Sequence, residues 1–91
     1  MRLLTVPDKL AQILSYNDKR VSVIIFNIGN ADIWINEDPN DPLTNGIPIP
    51  AGGALVLKKS ENDPVEKPLW GRCDSGLRTE LRIWEIYSKA Q

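Results

Sequence analysis

Cys73 sits between Arg72 and Asp74, with Arg78 five residues on. A thiolate steadied by neighbouring guanidinium groups would be the strongest nucleophile this chain could offer. It has no base to work with. The chain contains no histidine, so it lacks the commonest general base and the imidazole of any Ser-His or Cys-His pair. A small apolar thiol with no base beside it is expected in the core, where cysteine is commonly found. Asp74-Ser75-Gly76 places a serine on a turn, but without the paired glycines of a nucleophile elbow. Two carboxylates in a cleft would suit glycoside hydrolysis, yet a chain of 91 residues leaves little room for one. The acidic run Glu37-Asp38-Pro39-Asn40-Asp41-Pro42 lacks the glycine and terminal bidentate glutamate of a calcium loop. Gly52-Gly53 lacks the longer glycine spacing, the lysine and the following helix of a phosphate cradle. These patterns point away from an enzyme and assign no catalytic residue, no metal and no cofactor.

The side chains that remain are aromatic. Trp34, Trp70 and Trp84 all fall inside apolar runs with the grammar of strands, as does Phe26. An indole in a strand can stack on a sugar ring, anchor a protein interface or fill a small core. Placement inside apolar runs favours packing in a core or against another subunit over ligand stacking. These four residues are therefore the candidate interface, with a carbohydrate platform as the alternative.

Composition narrows the partners. Eleven Lys and Arg stand against twelve Asp and Glu, a net charge of −1, so no basic field gathers nucleic acid. No apolar stretch is long enough to span a bilayer, and Met1 to Val6 is followed at once by Pro7-Asp8-Lys9, which gives no signal-peptide core. The expectation is a chain that stays in a cytoplasm until it is assembled. With 42% hydrophobic and 25% charged residues the composition is that of one globular domain, residues 1–91. A domain this short buries only about three fifths of its unfolded surface. One cysteine and no histidine exclude disulfides and the usual soft-metal clusters as reinforcement, leaving association with other molecules.

The elements that must hold these aromatics are short. Val21-Ser22-Val23-Ile24-Ile25-Phe26 is a β-branched run apolar on both faces, with Val21, Val23 and Ile25 on one side and Ser22, Ile24 and Phe26 on the other. Such a strand is central in its sheet or lies at a contact. Asn27 to Asp32 breaks the run and Asp32 to Asn36 resumes it, with Ile33 and Ile35 opposite Trp34. Ile47-Pro48-Ile49-Pro50 is confined to an edge by its prolines; Ala51-Gly52-Gly53 turns the chain into Ala54 to Lys59. Lys58 to Lys67 is a polar loop, long for a domain of this size. Pro68 to Cys73 and Thr79 to Tyr87 complete the strands, and the succession predicts a β meander. Residues 7–15 are ambiguous: Leu10, Ile13 and Leu14 lie on one face of a possible helix, while Ala11 to Ser15 also reads as a strand.

Taken together, several motifs resemble a group of small phage and viral virion-associated proteins. They are Asn17 to Arg20 leading into Val21 to Gly29, then Ala31-Asp32-Ile33-Trp34-Ile35, Asn45-Gly46-Ile47-Pro48-Ile49, Ala51 to Leu57, Leu69-Trp70-Gly71 and Leu81-Arg82-Ile83-Trp84-Glu85. The resemblance implies an all-β fold, a small antiparallel β-sandwich or barrel of jelly-roll type with about six to eight short strands, and makes Ala11 to Ser15 a strand. It also implies a non-enzymatic structural protein of the virion, such as a capsid decoration, head-fibre or spike-base subunit. Such a protein would pair with itself as a trimer or dimer and attach to the major capsid protein or another virion part, without contacting nucleic acid or membrane. The longer loops at Glu37 to Asp41 and Lys58 to Lys67 depart from the pattern. The alternatives are a carbohydrate-binding β module and a small host-directed regulator.

Overall fold

The computed structural model describes residues 1–40 and 45–88. Eight strands follow in chain order: β1 Arg2–Val6, β2 Ala11–Leu14, β3 Arg20–Asn27, β4 Ile33–Asn36, β5 Ile47–Ile49, β6 Ala54–Lys58, β7 Leu69–Cys73 and β8 Thr79–Tyr87. A 3-10 turn, Lys59–Glu61, interrupts the charged loop. The strands form two four-stranded antiparallel sheets, ordered β1-β8-β3-β6 and β2-β7-β4-β5, referred to below as sheets A and B. This is a β-sandwich with the interleaved order of a jelly roll, in which each sheet draws its strands from along the whole chain.

Two expectations are corrected. The strands do not run as a meander, because β3 and β4 lie in different sheets and only β4 and β5 are both sequential and paired. The Asn27 to Asp32 segment carries the chain across the sandwich instead of folding it back as a hairpin. Arg2–Val6, to which the sequence reading gave no element, forms β1 along β8. Ala11–Leu14 is a strand, so Leu10, Ile13 and Leu14 do not form a helical face; β2 carries a bulge between Gln12 and Leu14, and both Ile13 and Leu14 are buried. β3 is central, paired with β6 on one side and β8 on the other.

The core is the space between the sheets. Val23, Ile25, Leu81 and Ile83 from sheet A meet Ile13, Ile33, Ile35 and Cys73 from sheet B, all nearly inaccessible to solvent. Within sheet B, Gly71 lets β7 lie close against β4, since a Cβ there would stand 2.9 Å from the Trp34 carbonyl oxygen.

Arg20, Asn27 and Thr79 are the polar side chains buried with this core among the described residues, the first two at opposite ends of β3. A bulge between Arg20 and Ser22 resets the strand's alternation and turns Arg20 inward. Its guanidinium donates from Nε to the Val65 carbonyl (2.7 Å), from Nη1 to Glu85 Oε1 (2.7 Å), and from Nη2 to the carbonyls of Ser15 (2.8 Å) and Lys67 (3.4 Å). One planar cation thereby ties β8, the end of β2 and the charged loop to β3. At the far end Asn27 Nδ2 donates to the carbonyls of Ala31 (2.8 Å) and Ile49 (3.0 Å), while its Oδ1 accepts from Thr79 Oγ1 (2.6 Å).

Candidate interaction face

The four aromatic candidates are distributed between two outer surfaces. Alternation directs Ser22, Ile24 and Phe26 of β3 away from the core, and with them Arg82, Trp84 and Ile86 of β8, Ala54 and Val56 of β6 and Leu3 of β1. Register makes this one surface. Ile24 stands opposite Val56 on one side and Trp84 on the other, while Phe26 stands opposite Ala54 and Arg82. Leu3 extends the row beyond Arg82. Trp84 is 49% exposed, Val56 45% and Ile86 40%, and Ile24 and Phe26 are half-buried. The patch therefore faces solvent as a largely apolar surface with Arg82 set within it between Phe26 and Leu3, and Glu80 on β8 and Lys58 on β6 at its margins.

Sheet B turns a different surface outward. Trp34 stands opposite Pro48 and Arg72, and Trp70 stands opposite Gln12 and Asn36. The two indoles are diagonal neighbours on adjacent strands, a spacing that large side chains can bridge. Both are half-buried. Trp34 Nε1 is fully covered and has no hydrogen-bond partner among the described residues, so its polar edge is turned away from any ligand arriving from solvent.

The remaining chemical candidates have structural placements. Cys73 is completely buried; burial, and next the charge of Asp74, push its thiol above the ordinary range, which is the wrong direction for a nucleophile. Glu37 pairs with Lys67 at 3.7 Å, and Asp38 receives the Asn40 amide at 2.8 Å. Asp41 and Pro42 lie outside the described residues. Among the described residues no three or more His, Cys, Asp or Glu side chains gather as a metal set, and no helix is long and apolar enough to cross a membrane. Gly52 adopts a φ of 83° in the turn before β6, and Gly52 N–H and Asn27 C=O bond at 2.8 Å. A cleft of about 530 Å³ opens between the sheets beside β5 and β6, with Ile35, Ile47, Leu55, Leu57 and Leu69 in its lining and Asp63 among its polar residues.

No family model, no curated protein and no solved structure matches this chain.

Sequence reading singled out Phe26 and Trp84 but not Ile24, Val56, Ala54 or Leu3, which complete their surface. Alternation along each strand tells which residues share a side. Which strands adjoin is set by pairings between distant parts of the chain, and no local signal carries that.

Proposed function

We propose that this chain is a non-enzymatic structural protein of a virion, one that associates with itself and attaches to the capsid or another virion component through its sheet surfaces. The observation that carries this reading is the apolar block centred on Ile24, Trp84 and Val56. Monomers seldom leave a large contiguous apolar surface uncovered, and such surfaces mark docking sites. The jelly-roll strand order agrees, being an architecture of capsid and lectin domains; fold alone does not specify function, so it is support by analogy. The test is light scattering of the purified protein together with co-sedimentation with capsids. A species larger than a monomer is expected. A strict monomer at high concentration that also fails to co-sediment removes the reading.

A second reading is favoured by a separate observation, the diagonal pairing of Trp34 and Trp70 beside Arg72, Asn36 and Gln12. An aromatic pair flanked by hydrogen-bonding side chains suits a carbohydrate. A glycan array with tryptophan fluorescence titration separates the two, because the structural role expects no response to sugars.

A further inference from the structure

Independently of the role just proposed, we infer that Asn45-Gly46 is a site of spontaneous covalent modification, where loss of the asparagine amide rebuilds the main chain entering β5 as an isoaspartyl linkage. The step needs only water. The backbone nitrogen of Gly46 forms a bond to Asn45 Cγ, the Cγ–Nδ2 bond breaks, and the amide group leaves as ammonia with the proton that the nitrogen gives up. A cyclic imide then joins the two residues. Water opens this ring at either carbonyl, giving aspartate or its iso form, and nothing is oxidised or reduced.

The attacking nitrogen selects this asparagine. A side chain on the following residue crowds its own backbone nitrogen and restricts the dihedrals by which that nitrogen turns toward Cγ; glycine does neither. Of the seven asparagines in the chain only Asn45 is followed by glycine. Hydrogen bonds restrain several of the others. Asn27 is buried with Nδ2 donating to the Ala31 and Ile49 carbonyls, and the Ile28 N–H that would attack it donates to the Glu80 carbonyl at 2.9 Å. The Asp63 N–H that follows Asn62 donates to the Lys58 carbonyl at 3.2 Å. Asn17 and Asn36 each accept through Oδ1 from the backbone N–H two residues on, at 3.0 Å and 3.1 Å. Asn45 is exposed, and among the described residues no hydrogen bond fixes its side chain or the Gly46 N–H. It precedes a three-residue edge strand that is paired on one side only, with β4, so the backbone here is among the least restrained in the fold.

The position gives the change a consequence. Ile47 stands opposite Ile35 and Ile49 opposite Ile33, and the iso linkage inserts an extra backbone carbon immediately before that register. The new carboxylate joins Glu37, Asp38 and Asp63 on the lining of the cleft, like charge beside like. Both effects loosen β5 from β4, and with it Ile49, which is buried in the core.

The test warms the full chain at mildly alkaline pH. Peptide mass spectrometry follows conversion at each asparagine over time, and labelling by an isoaspartyl methyltransferase reports the iso form. Asn45 is expected to convert ahead of every other asparagine, with isoaspartate among the products, and the aged chain should unfold at a lower urea concentration than the fresh one. Gly46→Ala should slow the conversion. Asn45→Gln should remove it and keep the fresh midpoint through the same incubation. In denaturing urea Asn27, released from its bonds, should convert faster than in the folded chain, while Asn45 changes little. Conversion at Asn45 no faster than at Asn30, which Ala31 follows, overturns the inference, and so does a product without isoaspartate. Conversion at Asn45 that is fast only in urea overturns it too, because the fold would then be shielding the site. A midpoint that falls equally in Asn45→Gln overturns the consequence drawn for β5.

Discussion

Sheets A and B share one core but treat their outward aromatics differently. Trp84 on sheet A is 49% exposed, opposite Ile24 and between Arg82 and Ile86 along its own strand face. Trp34 on sheet B is half-buried with its N–H covered, against Pro48 on one side and Arg72 on the other. An indole that keeps half its surface in water adds little to the monomer and retains its apolar area for a partner. An indole already covered has contributed its area to folding. Residue type is the same in both cases; the neighbours decide the role.

The contrast depends on the two sheets being held in place, so the most severe way to break it is at Arg20. Arg20→Ala leaves Glu85 and the carbonyls of Ser15, Val65 and Lys67 without their shared donor. It is expected to cost about 3 kcal/mol in urea unfolding, the lower end for a broken buried pair because Glu85 keeps some access to water. Next comes Trp34→Ala, expected to cost about 2 kcal/mol, less than a fully buried tryptophan. Trp84→Ala is expected to stay within about 0.5 kcal/mol of wild-type monomer stability. Equal losses at the two positions would erase the distinction between the faces.

A finer test is Trp34→Phe. It removes some packed area but also a buried donor with no partner, whose cost is about 1–3 kcal/mol. The two effects oppose, so unfolding should change by less than about 1 kcal/mol. A loss as large as that of Trp34→Ala would mean the N–H is satisfied. The smallest effect concerns Cys73. Its thiol is raised by burial and by Asp74 from the ordinary 9.0. The unfolded chain therefore releases this proton first, and stability present below that pH declines as pH rises above it. Cys73→Ala should flatten this alkaline decline, as read from urea midpoints across a pH series, although the substitution lowers stability at every pH by opening a cavity.

How much of this was legible depended on the range of the signal. Thr79–Tyr87 alternates buried and exposed through Trp84 and is one strand over all nine residues. Val21 to Phe26 read as a strand either central in its sheet or at a contact, with Val21, Val23 and Ile25 on one side, and it is central. The bulge puts Arg20 with Val23 and Ile25 on the buried side, and a one-residue insertion leaves no mark in composition. Arg2–Val6 is a strand only because β8 lies beside it; five residues of mixed character announce nothing alone. For the candidate face, Trp84 and Phe26 stood out by residue type. Ile24 and Val56 became visible only when β3 was seen between β6 and β8.

Asp63 bears on what this molecule can build. Its side chain accepts the Lys58 amide at 2.9 Å and its own amide donates to the Lys58 carbonyl at 3.2 Å, so the last rung of β6 is occupied from within the chain. On the rim of the opposite sheet Pro48 has no amide to offer. A neighbour trying to add a strand at these two places meets an occupied rung on β6 and a missing donor on β5, which discourages lengthening there.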